Sequence, residues 1–180
     1  MTAPSPAARH LRLVAGRATG RQAGAPVTMS WFCSRCGAPP ARPHGGGSGG
    51  PRVCPSCSLG ILLRTRSDVA PAVHGAFLVI DSSLSVQAVS ARAEVVLAVR
   101  ELEAVNRHVS EVLFAADADA GAGAGAGAAT IVSLALAITR AAGGDQRVAS
   151  LHVQPRHGFG RLRARVAPCG PPMAALVALE

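Results

Sequence analysis

Lysine and tyrosine are absent from the 180 residues, tryptophan occurs once and phenylalanine four times. A core must therefore be built from Val, Leu, Ile and Ala, and few ring faces exist on which a planar cofactor or a nucleobase could stack. Every one of the 18 basic residues is Arg, against ten Asp plus Glu, for a net charge of +8. Acid is missing altogether from the front third. Residues 1–66 carry nine Arg and no Asp or Glu, whereas residues 67–180 carry nine Arg and ten acids. The basic balance thus belongs to the front, and the larger rear part is near neutral. Arginine without lysine also follows from a GC-rich coding bias, so the excess alone is a weak pointer to nucleic acid.

A long hydrophobic run is missing too. The longest uncharged stretch, Ala120 to Thr139, spends its first half on alternating Gly and Ala, which transfer poorly into a bilayer. No membrane span is expected, and a cytoplasmic location is. Residues 1–28 have no hydrophobic period and are rich in Ala, Pro, Gly and Arg. They are expected to be a disordered basic leader, with Met29 as an alternative natural start to Met1. Residues 29–66 group four cysteines around a Gly-rich loop, 67–75 read as a linker containing Pro71, and 76–180 change to strand and helix periodicities. Residues 115–128, with Asp117, Asp119 and the GAGAGAG repeat, are expected to be a flexible loop.

The cysteines are what the chain does have. Cys33-x2-Cys36, seventeen residues, then Cys54-x2-Cys57 is the spacing of a four-thiolate metal site. Two residues between thiols let one tight turn aim both sulfurs at one ion, and two such turns supply the corners of a tetrahedron. Gly37 follows the first pair, where a positive φ is often needed. The pattern predicts a structural Zn²⁺ on Cys33, Cys36, Cys54 and Cys57; an iron site, a redox dithiol or a degenerate module that holds no metal would show the same spacing. Five cysteines without a secretory signal argue against a disulfide framework. The stretch resembles a zinc ribbon over residues 31–62. That resemblance implies a metal but not a partner, since ribbons meet DNA, RNA or protein, or merely cap a larger domain. Arg35, Arg42, Arg52, Arg64 and Arg66 could face phosphates, while Trp31 and Phe32 alone offer stacking surfaces. His44, in the long loop, is expected to be exposed.

In the rear part, Ala76–Asp81 reads as a buried strand, Ser82-Ser83 as a turn and Leu84–Val89 as a second strand. Ser90 is placed to cap a helix from Ala91 carrying Ala93, Val96, Leu97 and Arg100 at helical spacing. Asn106–Leu113 reads as a second short helix. Ala129–Ala142 reads as the longest one, with Ile131, Leu134, Ala135, Ile138 and Ala142 on one stripe and Gly143-Gly144 ending it. Strands are expected at Arg147–Gln154, at Gly160–Ala167, where Arg161, Arg163 and Arg165 alternate with Leu162, Ala164 and Val166, and at Ala174–Leu179 after the CGPP turn.

FLVIDSSLSVQAVSARAEVVLAV resembles the opening of a PAS domain, a sensor fold. Asp81 stands at the turn Asp, Ser90 at the cap, Ala93-Glu94 at the Ala-Glu pair, Leu97 at the core Leu, and NRHVSEVL is similar to the following segment. The resemblance implies an α+β fold: a small zinc ribbon followed by a PAS-like five-stranded antiparallel sheet with helices on one side. Haem is not expected, because the long helix lacks a His; His108 and His152 are the remaining candidates. Flavin is not expected, because no Cys lies in the helical section, and Cys169 reads as a bystander. Phe77, Phe114 and Phe159 are the rings left for a planar ligand.

Nothing in the chain forms a catalytic set, and four protein thiolates would leave a metal no open position. The expectation is therefore a non-enzyme that acts by binding. It reads as a sensory or adaptor protein with a protein partner or homodimer through the PAS-like part, or a small apolar ligand there. The alternative is a zinc-ribbon nucleic-acid-binding transcriptional regulator with a PAS-like dimerisation domain.

Overall fold

The computed structural model describes residues 27–40, 52–116 and 134–180. The expectations for the leader up to residue 26, the Gly-rich loop with Arg42 and His44, the repeat, and the start of the long helix lie outside these residues.

Among the described residues, largely apolar runs bounded by turns give eight strands: β1 Met29–Cys33, β2 Leu62–Arg66, β3 Ala76–Ile80, β4 Val86–Val89, β5 Leu113–Ala115, β6 Ala149–Pro155, β7 Leu162–Gly170 and β8 Ala174–Leu179. They make one antiparallel sheet in the order β1-β2-β7-β8-β3-β4, with β6 also against β7 and β5 against β6. The last strand lies beside the first strand of the rear part, Leu78 opposite Val177. Five strands are expected for residues 76–180; β5, paired with β6, makes a sixth there. Strand β7 adds two more, β2 and through it β1: its nine residues pair with β6 along Leu162–Val166, and its end, Cys169 and Gly170, pairs with Thr65 and Arg64 of β2. The cysteine-bearing hairpin is thereby spliced onto the same sheet.

Among the described residues, three α-helices, α1 Ala91–Leu97, α2 Glu101–Ala104 and α3 Leu134–Ala142, pack on one face. Ser90 caps α1 as expected, its Oγ accepting from Ala93 N at 3.1 Å and from Phe77 N at 3.0 Å while donating to Gly75 O at 2.9 Å. Ala98, at φ 50°, ends the helix, so Arg100 is not on it. The expected helix over Asn106–Leu113 is instead a 3₁₀ turn, Val109–Glu111, followed by β5. Asn106 at φ 65° breaks helical geometry, and Phe114 and Ala115 pair with β6. Leu84 at φ 66° lies in the turn, and the second strand starts at Val86. The buried stripe of α3 is Leu134, Ala137, Ile138, Ala141 and Ala142 rather than one including Ala135.

Alternation divides β3 and β8 between two cores. Leu78, Ile80, Ala175 and Val177 face the helices, while Phe77, Val79, Ala174 and Leu176 face the opposite, outer side. There Phe32 of β1 and Leu63 of β2 fold over them, and Phe32 meets Phe77 edge-to-face at 5.6 Å. Val69, in the stretch read as a linker, is 3% exposed within that outer core. Among the described residues, no helix is long and apolar enough to cross a membrane.

Candidate metal centre

Two knuckles form the centre. In the first, the chain turns after β1 so that Gly37 N donates to Cys33 O at 2.9 Å and Arg35 N to Cys33 Sγ at 3.3 Å. In the second, Ser58 N donates to Cys54 O at 2.9 Å and Cys54 N to Gly60 O at 2.8 Å. The knuckles are stitched together by Ser34 N to Ile61 O at 2.8 Å and Ile61 N to Ser34 Oγ at 3.1 Å. Two glycines are required by close approach. A Cβ on Gly37, at φ 73°, would sit 2.5 Å from Ala72 O, and one on Gly60 would sit 2.4 Å from Cys33 Sγ.

The four sulfurs of Cys33, Cys36, Cys54 and Cys57 all lie within 4.8 Å of one another. Cys33 and Cys57 are 3.6 Å apart, Cys36 and Cys54 3.9 Å. A tetrahedral ion with metal–sulfur bonds of about 2.3 Å sets its ligands about 3.8 Å apart, so the donor set fits a single metal ion. All but Cys57 are buried. Burial pushes the Cys33 thiol up to about 12. Cys57 goes the other way: burial opposes it, but the Gly60 and Leu59 backbone N–H groups and the neighbouring thiols bring it down to about 6. A cation at the centre of the cluster would supply the charge that four thiolates together require.

Arg35, inside the first knuckle, reaches out of it. Its guanidinium donates to Val89 O at 3.0 Å and Glu101 Oε2 at 3.1 Å through one nitrogen, and to Glu94 Oε2 at 2.8 Å through another. Glu94 Oε1 in turn accepts from Glu101 N at 2.7 Å. One arginine therefore ties the cysteine knuckle to β4, α1 and α2. This clasp was not anticipated from the sequence, which offered Arg35 to phosphate; the available signal was the Ala-Glu pair at the start of α1.

The other singled-out residues are dispersed. Arg66 pairs with Asp68 at 2.9 Å, and Arg64 lies 5.8 Å over the Trp31 ring. His108 caps the 3₁₀ turn on the surface, with Nδ1 2.7 Å from Ser110 Oγ, and His152 is exposed on β6. Cys169 is buried in the outer core, away from the cluster, and burial pushes its thiol up to about 12. Phe77 is buried in that core, whereas Phe114 and Phe159 are exposed.

No protein-family model and no curated protein matches the sequence. Comparison with solved structures finds the PAS domain of nitrogen regulation protein NR(II) from Vibrio parahaemolyticus, with 14% sequence identity and a TM-score of 0.41, covering 58% of this chain and 86% of that one.

Proposed function

We propose that the chain is a non-catalytic sensory or adaptor protein of the cytoplasm, in which a structural Zn²⁺ on Cys33, Cys36, Cys54 and Cys57 fixes a binding surface on a PAS-like sheet. The observation that carries this reading is the pairing of the four-sulfur cluster with the Arg35 clasp. The cluster spends every tetrahedral position on protein sulfur, which leaves no site for water activation. Arg35 then couples the position of the knuckle to β4, α1 and α2. Thiolates suit zinc through their softness, and a reducing compartment keeps them available.

Contact with protein is favoured over contact with nucleic acid by the fate of the arginines. Arg35 and Arg66 are committed to carboxylates, and the Trp31 face lies under Arg64. Association is favoured over small-ligand sensing on the helical side because Leu78, Ile80, Val86 and Ile138, each 0% exposed, fill that interior themselves.

Elemental analysis of reduced protein from its own host, combined with amide NMR before and after chelation, tests the reading. One zinc per chain is expected, and its removal should shift the Val89, Glu94 and Glu101 resonances. Absence of metal would overturn the zinc role. Shifts confined to the knuckles would overturn the coupling.

A further inference from the structure

The outer face of the sheet is covered only in part. Phe32 and Leu63 close its centre, and beside them runs a groove of about 880 Å³. The second knuckle, Leu59 to Ile61, forms one wall, Val79 and Ala88 lie in its floor, and Leu102 of α2 and Met173 before β8 stand across it. The volume falls within the ~300–1,000 Å³ of binding pockets.

Two properties define what fits. The first is the exposure of the lips: Leu59 is 78%, Leu102 90% and Met173 56% exposed. A small molecule sunk in the groove would leave these side chains in water, whereas a polypeptide laid across it would cover them. The second is charge. Asp81 and Glu101 line the groove, and the lining cation, Arg35, is consumed by Glu101 and Glu94. Although burial opposes it, hydrogen bonds from Ser83, Ser85 and Gln87 hold the Asp81 carboxyl below its ordinary range, so it is an anion at neutral pH. A zinc tetrathiolate, two charges negative, would lie directly behind Gly60. An acidic, aliphatic trough on a chain of net charge +8 complements a ligand of opposite character.

From these exposed lips and this acidic lining we infer that the groove receives an extended segment of a partner protein that carries aliphatic side chains interspersed with arginine or lysine. The inference deepens the adaptor reading and rests on it in one respect: the knuckle wall is held by the metal.

The test titrates zinc-loaded full-length chain with two labelled synthetic peptides that share their aliphatic residues, one with arginine and the other with glutamate between them. The arginine peptide should bind about tenfold or more tighter than its acidic counterpart and weaken as salt rises. Leu102→Glu and Met173→Glu, both at exposed positions, should each weaken it about tenfold with zinc content unchanged. Asp81→Asn should narrow the preference between the peptides. Equal binding of both peptides, no binding of either, or indifference to the lip substitutions would overturn the proposal. Zinc content measured on the same samples separates the two readings. Peptide selectivity without zinc supports the groove and sinks the metal's role, whereas full zinc without peptide binding sinks the groove alone.

Discussion

Replacing Arg35 by Ala is the sharpest test of how the cysteine knuckle is joined to the sheet. The guanidinium makes three hydrogen bonds, to Val89 O, Glu101 and Glu94, at 3.0, 3.1 and 2.8 Å. Bonds to charged groups are worth about 1.5–3 kcal/mol when desolvated. Here the side chains of Arg35, Glu94 and Glu101 retain 23%, 22% and 32% of their exposure, so solvent screens part of that. The expected loss is about 2 kcal/mol in urea unfolding of zinc-loaded protein at neutral pH. Arg35→Lys should recover less than half, because an ammonium cannot fork between two carboxylates. A cycle with Glu94→Gln should give a coupling of about 1 kcal/mol. The pH dependence has a definite sign. Burial alone pushes the Glu94 carboxyl up, but the Glu101 N–H and Arg35 bring it below its ordinary value. A depressed folded pKa makes the stabilisation full above the unfolded carboxyl value of about 4.3 and erodes it as pH falls through the folded one. The gap between parent and Arg35→Ala should therefore be constant near neutrality and close in acid. A variant within about 0.5 kcal/mol of the parent, an additive cycle, or a gap that widens in acid would refute the clasp.

Gly60→Ala should lower metal affinity tenfold or more in a competition titration with a chromophoric chelator, since the new methyl would lie 2.4 Å from Cys33 Sγ and 2.8 Å from the Arg35 backbone nitrogen. Unchanged affinity would show that the knuckle can shift freely. Phe32→Ala, at a ring 1% exposed, should cost about 3–5 kcal/mol, and a cycle with Phe77→Leu should return about 1 kcal/mol for the edge-to-face pair. A loss under about 1 kcal/mol would mean that the hairpin does not seal the outer face. Cys169, 3% exposed with its thiol pushed up to about 12, should resist alkylation until global unfolding. Labelling at the rate of a free thiol, read by peptide mass mapping, would contradict its burial.

Local chemistry was legible and remote pairing was not. The four cysteines could be assigned to one centre because a CxxC turn fixes its own geometry, and two such turns have few other uses. Asp81 and Ser90 could be read because their hydrogen bonds close within a few residues: Asp81 Oδ1 accepts from Ser83 N and Ser85 N at 2.9 and 3.0 Å, and Ser90 caps its own helix. Strand β7 could be read because Arg163 and Arg165 alternate with Leu162, Ala164 and Val166, and β8 because Ala174–Leu179 is an unbroken apolar run after a turn. The union of β2 with β7 is a different kind of fact. It joins Thr65 to Cys169 across more than a hundred residues, with Thr65 Oγ1 donating to Pro168 O at 2.8 Å, and no periodicity within either segment encodes it. The same holds for Arg35 and Glu94, whose charges look solvent-bound in sequence and meet only when the hairpin folds over. The misplaced helix at Asn106–Leu113 failed for a smaller reason. Its apolar spacing suits a helix, but Leu113 serves a strand instead, and Asn106 tolerates the left-handed backbone that ends helical continuity.

The join between hairpin and sheet follows from what each lacks. A four-cysteine hairpin is too small to bury a core of its own and leans on metal ligation for folding free energy. A sheet with helices on one side leaves its other face apolar, here Phe77, Val79 and Leu176. Folding the hairpin across that face lets Phe32 and Leu63 fill both deficits at once, and it makes the second knuckle a wall of the remaining groove. If the cluster holds zinc and the groove a partner segment, as proposed, the two are thermodynamically linked: the segment would tighten zinc by the same factor by which zinc tightens the segment. On the proposed reading, loss of zinc through chelation or oxidation of the cluster would loosen the knuckle wall, release Arg35 from Glu94 and Glu101 and withdraw the proposed binding surface in one step.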